Sequence, residues 1–139
     1  MAPHSPVVIK SPEAPVFELP FLSVTGLAAP SRGARETCLW RLTLLPGAPA
    51  VLHTMDHEEL FLIVEGTVRA TFGEERAAPD GTVPPGLELG PGDTLIVPAG
   101  QQFALANPGS EPARAVVVLP VGAQATMPEG ETFVPLWAR

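Results

Sequence analysis

The 18 prolines and 13 glycines of this 139-residue chain break it into short apolar segments, and that punctuation limits the fold more than any other feature. Proline removes a backbone donor and glycine weakens a helix interior, so a chain interrupted this often favours many short strands joined by turns. Helical periodicity is hard to find anywhere. The clearest strand signals are residues 17–24 and 36–45. In the second, Cys38, Trp40, Leu42 and Leu44 share one face, and Thr37, Arg41 and Thr43 the other. Residues 60–64 are apolar on both faces, which predicts cover on both sides, as in a sandwich or a dimer interface. Further strands are expected at 67–72, 94–97, 101–106 and 115–119, with one more in the tail, 131–137. The longest expected loop is 73–86, with three prolines and three glycines. Eight to ten short strands at this spacing predict an all-β sandwich or barrel. No internal repeat and no linker divides it. The expected organisation is a proline-rich N-terminal arm over 1–16, followed by one β domain over 17–139.

Charge narrows the partners. A net charge of −7 and a single lysine, Lys10, disfavour nucleic acid and anionic membranes, both of which need a basic surface. No apolar run reaches the roughly 18 residues of a membrane-spanning helix. The N-terminal residues lack the basic and apolar regions of a secretory signal, and Cys38 is the only cysteine, so the expectation is a cytoplasmic protein without disulfides. Cys38 reads as a small buried hydrophobe.

The informative constellation lies between residues 47 and 107. Gly47 is followed after five residues by His53, and Glu59 after six residues by Gly66. Gly92, Pro98, Gly100 and Asn107 then follow in a second group. Gly66 and Gly100 fall in turns that call for positive φ, and Pro98 pre-sets the turn before the next strand. In order and spacing these residues resemble the two motifs of the cupin superfamily, with eight of ten specified positions matched. The resemblance implies a cupin-type antiparallel β-barrel, or jelly roll. It also implies a homodimer, with which the two-faced apolar segment and the N-terminal arm agree.

The two mismatches bear on chemistry. The resemblance implies a metal set of three histidines and one glutamate, but Met55 and Phe103 replace two of the histidines. His53 and Glu59 remain, too few for a tight transition-metal site. His57 offers a relocated set. His53, Met55, His57 and Glu59 have the same parity, so in a regular strand they would face one side. His53, His57 and Glu59 could then hold a divalent ion such as Zn, Mn, Fe or Ni. The opposing reading puts His57 in a polar turn facing solvent, with no metal at all.

Without metal, His53 and Glu59 pointing into an apolar interior form a pair suited to proton transfer, or a buried hydrogen-bonded remnant. Trp40, Met55, Gln101 and Phe103 are the candidate pocket residues around them. Three functions stay open at this point. One is a metal-independent isomerase, epimerase, cyclase or lyase acting on a small organic molecule through His53 and Glu59. Another is a metal-dependent enzyme at the relocated site, and the last is a non-catalytic ligand-binding or regulatory protein. No serine or cysteine sits in a nucleophile motif.

Overall fold

The structure, a computed structural model, describes residues 5–73 and 86–139. Of the long loop expected over 73–86, residues 74–85 lie outside the described residues. The described chain forms strands β1 (Val16–Leu19), β2 (Leu22–Ala28), β3 (Thr37–Leu44), β4 (Thr54–Met55), β5 (Glu59–Glu65), β6 (Val68–Phe72), β7 (Leu87–Leu89), β8 (Thr94–Val97), β9 (Phe103–Ala106), β10 (Ala113–Pro120), β11 (Ala125–Thr126) and β12 (Thr132–Phe133). Every pairing is antiparallel. The all-β expectation holds, and the strand count exceeds it because β4, β11 and β12 are only two residues long.

One layer is a six-stranded sheet in the order β1-β2-β3-β10-β5-β8. The other is made of two three-stranded sheets, β12-β11-β4 and β7-β6-β9. An isolated antiparallel bridge between His53 and Phe103 joins the two smaller sheets. The core between the layers follows the expected alternation. On β3, Cys38, Trp40 and Leu44 are buried while Arg41 is exposed. Cys38 is fully enclosed, and burial pushes its thiol pKa up, as suits a packing residue.

Two expectations need correction. Residues 17–24 are not one strand. Pro20 has no N–H to give a ladder, and Phe21 adopts φ 66°, so the chain reverses and β1 pairs back on β2 with Leu19 opposite Leu22. Within the single chain, the segment 60–64 is covered on one face. Phe61 and Ile63 enter the core, whereas Leu62 and Val64 stay 40% and 48% exposed on the outside of the large sheet. The tail also departs from a full strand, with two residues in β12 and a 3-10 turn at Leu136–Ala138.

The turn residues of the two motifs do structural work. Gly66 has φ 78°, and a Cβ there would lie 2.8 Å from the Pro112 carbonyl oxygen and the Ala113 Cα, so any side chain would collide with backbone. Gly100 has φ 81° and donates its N–H to the Met55 carbonyl at 2.8 Å, tying the β8–β9 turn to β4. Asn107 is buried and joins three chain segments. Its amide donates to the Leu44 and Glu111 carbonyls at 2.9 and 2.8 Å, and its oxygen accepts the Gly109 N–H at 2.9 Å. Asn107→Ala would leave two carbonyls and one N–H without their partner. It is expected to lower unfolding free energy by about 2–3 kcal/mol. Urea denaturation checks this, and a change below about 0.5 kcal/mol would show that the latch contributes little.

Candidate functional site

The barrel encloses a cavity of about 320 Å³ between the large sheet and the β4–β11–β12 side. Its wall is almost wholly apolar. Among the described residues, His53 and Glu59 are its two ionisable residues, and neither lysine nor arginine lines it.

His53 is held by backbone and ring together. Its N–H donates to the Phe103 carbonyl at 3.0 Å, and the Phe103 N–H donates to the His53 carbonyl at 2.9 Å. Their rings lie 4.5 Å apart, tilted by 47°. The His53 Nδ1 lies 2.9 Å from the Val51 carbonyl. A carbonyl oxygen can only accept, so Nδ1 carries the proton and the neutral ring keeps a lone pair on Nε2.

Glu59 opens β5, where it pairs with Val97, and only 5% of it is exposed. Among the described residues nothing hydrogen-bonds to its carboxyl. Burial pushes the carboxyl from an ordinary 4.5 up to about 8, so it is largely protonated at neutral pH. The hydrogen-bonded His53–Glu59 remnant weighed from the sequence is therefore not what forms. The two are separate groups on one wall, an imidazole acceptor and a carboxylic acid donor.

Trp40, Met55 and Phe103 line the cavity as expected. Gln101 does not. Its side chain turns back along the β8–β9 connection and donates to the Gln102 carbonyl at 2.8 Å. His57 is also displaced from its expected place. Residues 56–58 form a bend between β4 and β5, so the parity argument fails there. The bend is fixed by the Asp56 carboxylate, which accepts the Gln124 N–H at 2.7 Å, and the Asp56 N–H, which donates to the Gln124 carbonyl at 3.0 Å. His57 then lies on the outside, about half exposed, its Nδ1 2.8 Å from Asp56. The relocated His53/His57/Glu59 set does not assemble.

Several wall residues escaped the sequence reading. Leu42 and Leu44 could have been taken from the same β3 face as Trp40. Phe21, Phe133 and Trp137 come from the chain's two ends, where no motif marks them. Trp137 packs, with its ring centroid 6.2 Å from Trp40 and 6.4 Å from Phe17, and it also closes the cavity. Its segment is secured by Arg32, which donates to the Trp137 carbonyl at 3.1 Å. The Trp137 indole N–H is buried without an acceptor among the described residues. Phe21 is 47% exposed at the cavity mouth, and its positive φ costs about 1–2 kcal/mol for a bulky residue.

A small antiparallel barrel with a ligand-sized apolar interior and two titratable groups on its wall defines the class. A family model for the cupin domain matches residues 40–119, and the chain belongs to that family. No curated protein matches the sequence. Among solved structures, the polyketide cyclase RemF from Streptomyces resistomycificus is similar at 16% identity and TM-score 0.67, covering 81% of this chain and 77% of that one. An RmlC-like cupin from Shewanella frigidimarina is similar at 16% identity and TM-score 0.64, covering 84% and 91%. The hydroxypropylphosphonic acid epoxidase from S. wedmorenis is similar at 16% identity and TM-score 0.64, covering 81% of this chain and 58% of that one. At these identities the likeness is one of fold.

The metal set implied by the motifs does not fit this wall. Phe103, fully buried, fills one ligand position with a ring, and Met55 fills another. Among the described residues no three His, Cys, Asp or Glu side chains gather into a set that could hold an ion.

The Glu59 carboxyl has a thermodynamic signature. Folding holds its proton up to about pH 8, whereas an unfolded chain releases it near 4.5. Between those values the folded state binds the extra proton, so its contribution to stability falls as pH rises through the window. Glu59→Gln, which cannot ionise, is expected to flatten that fall, gaining on the parent at about pH 9 relative to about pH 5. Denaturation at both pH values checks this, and identical pH slopes would refute the buried acid.

Proposed function

We propose that this cupin binds a small organic molecule in its barrel and catalyses a proton transfer on it, in the isomerase, epimerase, cyclase or lyase class. One observation carries the reading. A lone-pair nitrogen on His53 and a neutral carboxyl on Glu59 lie on the wall of a single apolar cavity. Nε2 of His53 takes a proton from the carbon beside a substrate carbonyl. The C–H electron pair becomes the C=C bond of an enol, and the carbonyl oxygen receives the proton of Glu59. The His53 imidazolium then returns its proton to carbon at another position, while the enol O–H gives its proton back to the Glu59 carboxylate. The isomer forms with both groups restored. The Glu59 acid keeps its proton at neutral pH, where it can donate it.

The test is deuterium incorporation beside the carbonyl of a panel of enolisable ketones in D2O. Protein-dependent exchange is expected, with His53→Ala and Glu59→Gln each lowering it about 100-fold. No exchange above buffer would leave a binding protein and not an enzyme.

A second copy of the chain is the proposed partner. Strand register sets Ile96, Leu60, Val118 and Leu39 in one row across the outer face of the large sheet, with Leu62 and Val116 in the next. The N-terminal arm crosses this face at Arg41, which donates to the Ser11 hydroxyl at 2.9 Å. An apolar row of this kind, rimmed by the Arg114–Glu65 ion pair, suits an isologous dimer. Light scattering is expected to give a dimer at micromolar concentration and a monomer for Leu62→Lys/Ile96→Lys. A monomeric parent would overturn the assignment. Among the described residues no helix is long and apolar enough to cross a membrane.

A further inference from the structure

We propose that the cavity takes an uncharged aromatic ketone, admitted past Phe21, whose ring at the mouth selects flat ligands. This deepens the proton-transfer reading and rests on it for the carbonyl. Three features of the wall carry the choice.

The first is the concentration of aromatic rings. The chain has six phenylalanines and two tryptophans, and Phe21, Trp40, Phe61, Phe103, Phe133 and Trp137 line this one cavity. The ring pairs that form there meet at an angle. Phe61 and Phe103 are 5.8 Å apart at 65°, and Trp40 and Trp137 are 6.2 Å apart at 61°. No pair stacks face to face, so ring faces are not consumed by one another, and a flat guest can engage faces and edges together.

The second is charge. Among the described residues no lysine or arginine stands on the wall, so a carboxylate or phosphate would lose its hydration and gain no counter-ion from them. Glu59 would also repel it on ionising. The polar groups present are one donor, the protonated Glu59, and one acceptor, Nε2 of His53. A carbonyl oxygen is the group that donor lacks.

The third is Phe21. A phenylalanine at φ 66° is an uncommon backbone choice, and here it follows Pro20 at the tip of the β1–β2 hairpin. The conformation is held by the Phe21 carbonyl, which accepts the Leu45 N–H at 2.8 Å. Its ring reaches over Gly47, coming 3.9 Å from where a Cβ would stand there. A glycine would satisfy the turn without strain. What a phenylalanine adds is a half-exposed ring at the opening of the cavity.

The test uses four matched probes, titrated calorimetrically at about pH 7: 2-acetylnaphthalene, its saturated counterpart 2-acetyldecalin, 2-naphthoate and 2-naphthylmethylammonium. The aromatic ketone is expected to bind about tenfold or more tighter than each of the others. Phe21→Gly, which relieves the strained φ, is expected to keep the fold while narrowing the preference for the aromatic over the saturated ketone by about fivefold or more. Tightest binding by the anion, the cation or the saturated ketone would overturn the ligand class, as would no binding by any of the four. An unchanged preference in a folded Phe21→Gly would overturn the role of Phe21. Because these titrations need no turnover, a failure of the ligand class is read separately from a failure of deuterium exchange.

Discussion

Two backbone hydrogen bonds between His53 and Phe103 hold the site together. They join two three-stranded sheets that would otherwise be separate flaps, and so complete the layer facing the large sheet. The same bridge fixes where the imidazole stands and sets the phenylalanine ring against it. Closing the barrel and positioning the base are one event. A chain that loses this pairing loses the cavity wall as well as the placement of its base.

Phe103 has a chemical consequence. A ring in this position fills the interior with surface that cannot solvate charge, and Met55 nearby does the same. Among the described residues Glu59 faces that environment without a cation or a hydrogen-bond donor, and burial raises its proton affinity. The two departures from the family motifs thus act together. They put apolar side chains at two motif positions and leave the Glu59 carboxyl in surroundings that favour its acid form.

The fold was legible because its turns carry their own signals. Gly66 sits where a side chain would strike backbone, Gly100 needs positive φ, and Asn107 ties three segments, so their spacing encodes architecture directly. Trp40, Met55, Phe103, His53 and Glu59 were legible as wall residues for the same reason. Alternation on β3 and the motif spacing place them. What escaped were contributions that depend on long-range closure. Phe21 and Trp137 reach the cavity from opposite ends of the chain, and nothing local marks them. His57 failed differently. Parity assumes a continuous strand, and the Asp56–Gln124 hydrogen bonds break that strand at the residue in question. Gln101 failed because its amide found a backbone carbonyl next door.

The chain contains no tyrosine, and its two tryptophans, Trp40 and Trp137, both stand on the cavity wall with their rings 6.2 Å apart. Its near-ultraviolet absorption and emission therefore come almost entirely from one pair of indoles on the cavity wall. The protein carries a native optical reporter of its own occupancy, with no other bright chromophore to dilute it. Filling the barrel should register in that light before any chemistry is known.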